Sequence, residues 1–435
     1  MTCGAHSSNR STSRWPPDGR RPRQTVAFNV MGPPQPEAPR RRPTRRQVYR
    51  RRRFAALGVI AGASASIAAV AFAIGRGGDA GSLQRSAVST VSTAVPTSTA
   101  PSSVPTTTAN TPPHAAKRIR LAAVGDIVMG SSPYGLPPDG GRSFFSAVDS
   151  LIAGDYVMGN LEGTLSTGGS SKCGTSSGPN CFAFRTPPSY AKWLAKAGFM
   201  TMNVANNHAF DFGAIGQRET LRALRANGLR HTGRPGQITI QTVKGVRIAS
   251  VGFASYKWAG SLTDIPAAKA LVAKAASRAD IVVVAMHAGA EGADATHVRP
   301  GSETYLGEPR GNSIAFTHAV IDSGADFVWG SGPHVLRGME FYKGRLIAYS
   351  LGNFAGYKVF GLGGTLSTSA VLQVTLDADG TFISGRIRPT KIVAPGYPSP
   401  GGGAVALIRG LSRQDFQATS ARVAANGSIR PAASS

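Results

Sequence analysis

From residue 118 onward, short apolar runs alternate with Ala/Leu-rich stretches of helical spacing. The runs predict strands at residues 121–124, 156–158, 201–204, 248–253, 281–286, 327–329 and 346–349. The stretches predict helices at 189–197, 214–227, 267–277 and 313–323, and a hairpin is expected from 371–376, a turn at 377–380, and 381–386. Strands alternating with helices indicate a layered α/β domain over residues 118–410. Residues 411–435 read as a polar C-terminal tail, and no internal repeat is apparent.

The N-terminal quarter has a different texture. Residues 1–53 carry fourteen arginines against Asp18 and Glu37 and lack apolar periodicity, so they read as a disordered cytoplasmic tail. Residues 54–75 are uncharged, and 22 helical residues span roughly 30 Å of hydrocarbon. With Arg50 to Arg53 on their near side, they predict a single transmembrane anchor with the remainder outside the cell. A cleaved export signal of twin-arginine type, around Arg45-Arg46 with Ala71-Phe72-Ala73 as cleavage site, is the alternative. Residues 76–117 form a Ser/Thr/Pro linker.

Composition narrows the function classes. The net charge is +26, of which +12 lies in residues 1–53 and +12 in residues 118–435. The tail abuts the apolar segment, so anionic lipid headgroups explain its arginines more simply than nucleic acid does, and nucleic acid is not expected as a partner. The domain's excess favours acidic partners. Three cysteines exclude a disulfide-dense scaffold. Cys173 and Cys181 stand eight apart in a Gly/Ser loop, and in an exported domain they are expected to pair.

Candidate chemistry collects just past the carboxyl ends of the expected strands, where open α/β sheets bind ligands. There stand Gly125-Asp126, Gly159-Asn160-Leu161-Glu162-Gly163, Asn206-Asn207-His208, His287, Gly332-Pro333-His334 and Gly352-Asn353. Carboxylates, neutral imidazoles and an Asn carbonyl form a mixed oxygen/nitrogen donor set, suited to a divalent Zn, Mn or Fe ion. Taken singly, each has a plainer reading. Asn207 or Asp211, for instance, stands where a helix cap would sit before residue 214.

The order of these motifs resembles the CapA family of capsule-synthesis proteins, associated with poly-γ-glutamate. The resemblance rests on Ala123-Val124-Gly125-Asp126, Gly159-Asn160-Leu161-Glu162, Asn206-Asn207-His208-Ala209-Phe210-Asp211, Gly332-Pro333-His334-Val335-Leu336-Arg337-Gly338 and Tyr349-Ser350-Leu351-Gly352-Asn353-Phe354. It implies kinship with calcineurin-like metallophosphatases and a four-layer α/β/β/α sandwich. It further implies one or two divalent ions. Asp126, Glu162 and His334 would hold one, and Glu162, Asn207 and His287 the other, with His208 as catalytic acid or transition-state donor. Two metallophosphatase positions are altered. Val128 stands in place of a histidine, and Ser331 or Gly332 replaces the first histidine of the final signature.

Two functions follow as expectations. One is a metal-dependent hydrolase or transferase that makes or attaches an anionic capsule polymer such as poly-γ-glutamate. The other is a non-catalytic polyanion-binding assembly or export component with a degenerate site. Arg185 and Arg337 are expected to contact the anionic substrate, with a surface salt bridge as the alternative for each. Arg310 carries the same two readings. Glu291, His297, Glu303 and Glu308 read as a solvated Gly-rich loop, and His318 as a packed or exposed helix residue.

Overall fold

In the computed structural model, which describes residues 117–132, 134–174 and 181–432, the apolar runs form strands that are buried on both faces. The principal strands are β1 (Arg118–Val128), β2 (Tyr156–Leu161), β3 (Thr201–Asn203), β4 (Val246–Ala254), β5 (Ile281–His287), β6 (Phe327–Ser331), β7 (Arg345–Ala348), β8 (Asn353–Gly356), β9 (Thr368–Asp377) and β10 (Phe382–Val393). The helices are α1 (Ala191–Lys196), α2 (Gly213–Ala226), α3 (Ile265–Ala276), α4 (Ser313–Ile321) and α5 (Ala404–Phe416). Local chemistry sets helix starts. The Asp264 side chain accepts from Ala267 N and that of Asn312 from Ala315 N, each a cap for an otherwise unpaired amide.

The strands form two mixed sheets. The first has ten strands and runs Arg422–Val423, Ser428–Arg430, β10, β9, β1, β2, β3, Arg230–Thr232, with β8 also paired to β1 and Tyr397–Pro400 to β10. The second has seven and runs Met339–Tyr342, β7, β6, β5, β4, Thr239–Val243, with Gly260–Ser261 paired to β4. In both, the central strands run parallel; antiparallel strands flank them on one side of the first sheet and on both sides of the second.

The two-residue period of the strands sorts side chains into three cores. Ile119, Leu121 and Ala123 of β1 meet Ile281, Val283 and Ala285 of β5 and Phe327 and Trp329 of β6 between the sheets. The intervening Ala122 and Val124 pack outward with Leu194 of α1 and Leu221 and Leu224 of α2. On the other side, Val282, Val284 and Met286 of β5 pack with Val272 of α3 and Phe316 and Val320 of α4. Helices therefore cover both outer faces, and the carboxyl ends of β1, β2, β5 and β6 reach the same rim of the sheet pair.

The expected tail, membrane segment and linker of residues 1–116 lie outside the described residues. Among those described, no helix is long and apolar enough to cross a membrane. The C-terminal boundary requires correction. Residues beyond 410 complete the fold rather than trailing from it, because α5 runs through to Phe416 and strands Arg422–Val423 and Ser428–Arg430 extend the first sheet. Leu411, Phe416, Ala421, Val423 and Ile429 are all buried. Burying a large apolar side chain contributes about 1.5–3 kcal/mol, so four such residues rival the roughly 5–15 kcal/mol that holds a typical domain folded. A chain ending at Gly410 is therefore expected to be insoluble or to lose its cooperative thermal transition. A soluble truncation that melts within a few degrees of the full chain would contradict this placement.

Candidate metal centre

Asp126 owes its position to a break in β1. The pairing of β1 with β2 skips Gly125, so the strand bulges and re-aims the next side chain. The backbone closes tightly there. Asp126 N donates to Gly352 O at 2.9 Å, and a Cβ on Gly125 would lie 1.8 Å from the same oxygen. Glu162 follows the end of β2 and His287 ends β5. His334 lies in the loop beyond β6 with φ of +62°, a left-handed conformation rare for a residue with a side chain. Strain of this kind persists only where surrounding contacts enforce it. Here Asn353 Oδ1 lies 2.8 Å from the His334 ring nitrogen Nδ1, which is also 3.3 Å from Asp126 Oδ2.

These residues converge. One donor atom from each of Asp126, Glu162 and His334 fits within a 4.8 Å cluster. His334 Nε2 is 3.7 Å from Glu162 Oε1, and so is His287 Nε2. His287 Nδ1 lies 3.1 Å from Ser331 Oγ and 3.9 Å from Asp126 Oδ1. Asp126 and Glu162 are fully buried, yet neither Glu162 oxygen has a hydrogen-bond partner among the described residues. The same holds for His287 Nε2 and Asn207 Oδ1. Four unpartnered buried donor atoms in one place are what a cation site requires and a self-sufficient core forbids. The fit to a divalent ion is thus good at Asp126, Glu162 and His334, and His287 and Asn207 offer further donors at its edge.

The electrostatics show the same demand. Burial and the Asp126 charge push the Glu162 carboxyl well above the usual range. Burial acts the same way on Asp126, but the hydrogen bond and charge of His334 outweigh it and leave its pKa lowered. Burial also opposes charge on His334, yet Glu162 and Asp126 drive its pKa up to about 10. His287, more weakly compensated, is held near 3 by burial. A protonated His334 therefore supplies the cation the two carboxylates need.

An asparagine network supports this centre. Asn160 Nδ2 donates to Asp126 Oδ1 at 2.7 Å, and Asn160 Oδ1 accepts from Asn203 and Asn206. Asn206 also donates to Leu161 O and accepts from His208 N, which sets the turn that presents Asn207 and His208. The helix-cap alternative for this segment is not realised, since α2 begins after Phe212 without a side-chain cap. Asp211 instead lies 2.8 Å from His208 Nδ1, accepts from Phe184 N and forms an ion pair with Lys172 Nζ at 2.7 Å. A carboxylate that takes the Phe184 amide and pairs with a lysine acts as an acceptor, so Nδ1 carries the proton and Nε2 is left free. The disulfide between Cys173 and Cys181, with Cα atoms 5.7 Å apart, ties the loop that supplies Lys172.

Other expectations need correction. The Arg185 guanidinium donates to the carbonyls of Thr167, Gly168 and Gly169 and stacks 3.5 Å over the Phe212 ring, so it braces a loop instead of facing a substrate. Arg337 is buried in a two-pronged pair with Glu303 and donates to the carbonyls of Ala290 and Ala295. It anchors the 290–312 strap. That strap is not simply solvated. Arg310 is buried and paired with Glu291, whose Oε2 lies 3.6 Å from His334 Nε2 and whose Oε1 lies 3.5 Å from Asn207 Nδ2. His297 is held by Asp415 at 2.7 Å, and His318 packs on Tyr342 and Glu340.

The buried carboxylate yields a signed prediction. Because folding raises the Glu162 pKa, the folded state holds that proton more tightly than the unfolded chain does. The associated stability is present below the ordinary carboxylate value of 4.5 and is lost as pH rises through the folded value. Glu162→Gln removes that loss. In chelator the variant is expected to melt above the wild type at pH 8, by on the order of 2–4 °C per kcal/mol relieved, and by less at pH 4. Added manganese should then stabilise the wild type only. A variant less stable than wild type at pH 8 in chelator would refute the buried-charge account.

Comparison with known proteins identifies the family. Residues 120–358, more than half of the chain, match the family model described as bacterial capsule synthesis protein PGA_cap. The chain is 32% identical over 298 residues to the PGA biosynthesis protein CapA of Bacillus subtilis, covering 64% of this chain and 72% of that one. It is 30% identical over 290 residues to the capsule biosynthesis protein CapA of Bacillus anthracis, covering 61% and 66%. Among solved structures, a putative 5'-nucleotidase from Staphylococcus aureus aligns at a TM-score of 0.36 with 13% identity, over 65% of this chain and 54% of that one. Because the family model spans residues 120–358, which include all the residues that build the centre, the chain belongs to the bacterial capsule synthesis protein family, PGA_cap.

Proposed function

We propose that this protein acts on an anionic capsule polymer of poly-γ-glutamate type, as a metal-dependent hydrolase or transferase with a metallophosphatase-like centre. The observation that carries the reading is the fully buried Glu162 carboxylate, with neither oxygen partnered among the described residues, beside Asp126 and His334. The relatives in two Bacillus species bear names tied to capsule and PGA synthesis, which supports the choice of polymer. We place the domain outside the cell, held by residues 54–75 or released by signal cleavage.

Asp126, Glu162 and His334 would hold a divalent ion such as Mn, Fe or Zn, with His287 and Asn207 available to a second. Such an ion, when bound, supplies Lewis-acid polarisation of a phosphoryl or acyl oxygen and lowers the pKa of a nucleophile. The protein's own residues do the rest. Asp211 orients His208 with its proton at Nδ1, which leaves Nε2 to exchange a proton with the reacting group. Phe184, 4.3 Å from the imidazole, shields its face from water. The Asn160 network fixes the Asp126 carboxylate, so the donor set needs little reorganisation.

The retained His208–Asp211 pair favours turnover over passive binding, because a scaffold that only grips polymer has no use for an oriented imidazole. The purified full chain is expected to carry roughly one or two equivalents of Mn, Fe or Zn by elemental analysis. Asp126→Ala combined with His334→Ala should abolish that content. His208→Gln should keep the metal and lower hydrolysis of oligo-γ-glutamate or of a phosphodiester probe by about 10²-fold or more. A folded protein that cannot be loaded with any of the three metals would remove the enzyme reading, and the polymer-binding one would replace it.

A further inference from the structure

Arg310 is 2% exposed. Its Nη2 pairs with Glu291 Oε1, and Glu308 Oε2 lies 4.0 Å away. Its Nε and Nη1 are buried and have no partner among the described residues. A guanidinium presents five donors in a rigid fork made for two-pronged contact with an oxyanion, and burying two of its nitrogens unpaired is costly. The side chain is nevertheless held in place. Gly289 N donates to Arg310 O at 3.0 Å, and the guanidinium carbon lies 5.6 and 5.9 Å from the Tyr305 and Tyr256 rings. The strap carrying it is clamped by Arg337 on Glu303, which also accepts from Ala290 N.

Glu291 bridges this fork to the metal centre. One of its oxygens sits on Arg310 and near Asn207, the other 3.6 Å from His334 Nε2. The Glu291 carboxylate thus stands where a substrate oxyanion would have to stand to touch both Arg310 and the centre. The residue lies between Gly289 and Gly292, both at positive φ, and a Cβ on Gly292 would meet open space. Such a segment can move its side chain at little steric cost.

We propose that Arg310 is the oxyanion-reading residue of this site, and that Glu291 is an internal carboxylate which occupies its fork until a substrate carboxylate or phosphoryl group displaces it. The inference rests on the metal-centre reading for its biological meaning, but its physical content does not need a bound ion. Anionic groups of both kinds share the chemistry that Arg310 recognises, and which of them the site prefers is a measurable difference.

The test is calorimetric titration of the full-length protein with inorganic phosphate and, separately, with glutarate, on chelator-treated and manganese-loaded samples. Glu291→Gln, which removes the competing carboxylate charge from the fork, is expected to tighten binding of at least one probe by about tenfold. Arg310→Gln should weaken it by a similar factor, and Arg310→Lys, which keeps the charge but not the fork, should fall between. Glu308→Gln removes the same charge as Glu291→Gln without opening the fork, so it should change binding by less than about twofold. The better-bound probe identifies the oxyanion class. Equal gains from Glu291→Gln and Glu308→Gln, or no gain from Glu291→Gln, would overturn the proposal, and the latter outcome decides even where Arg310→Gln fails to fold. Arg310-dependent binding to a protein that takes up no metal would refute the metal centre and leave this inference standing.

Discussion

Two carboxylates, Asp126 and Glu162, are driven into one fully buried corner by the ends of neighbouring parallel strands, and everything around them answers the need for a positive charge there. Like charges in a low-dielectric setting cannot both ionise without compensation. Without an ion, His334 provides it by holding its proton, and Glu162 responds by resisting ionisation. A divalent cation would replace that proton with a larger charge. The buried pair is thus a poor contribution to stability and a good reason for an ion, as is usual where function sets the local arrangement.

The backbone concessions fall in the same place. The bulge at Gly125 leaves no room for a side chain because Gly352 O occupies it, and His334 adopts a left-handed conformation one residue after Pro333. Both lie at the carboxyl rim of the sheets. The interior of β1 and β5 is regular, with apolar residues alternating between the middle core and an outer core over Leu121–Val124 and Ile281–Met286. The fold concentrates its irregularity where side chains have to converge and keeps the rest of each strand conventional.

This division explains what could be read in advance. The principal strands and helices were legible because each carries an apolar run or a helical period of its own. Residues 201–204, for example, predict a strand and β3 covers Thr201–Asn203. Asp126, Glu162, Asn207, His208, His287 and His334 stand out because each lies one to five residues past the end of an apolar run. The C-terminal strands were not, since segments of two or three residues have no period to show. Arg310 reads as an anion contact and Glu291 as part of a solvated loop, but nothing in the sequence joins the two to each other or to the centre. They lie in a strap of short hairpin and turns, and what brings them to the centre is the pair of Arg337 with Glu303, 34 residues apart. Arg185 misled for the converse reason. An arginine's charge suggests a ligand, but only the folded loop reveals that three carbonyls and the Phe212 ring already engage it.

The strap gives the site an asymmetry with chemical consequences. On the β2–β3 side stand groups that exchange or accept protons, His208 with Asp211, supported by the Asn160 network. On the strap side stands a fixed cation, Arg310, whose charge depresses His287 and eases the ionisation of Glu162. Under the proposed function, a substrate bridging the two would meet a proton-handling face and an anion-holding face, with the carboxylate pair between them. That order suits a polymer whose every repeat carries a negative charge beside the bond to be handled. It also explains why the strap is anchored by a buried ion pair instead of a mobile surface contact. If one substrate touches both faces, as proposed, Arg310 must be held at a fixed distance from His334, and the Arg337–Glu303 pair holds the strap that carries it.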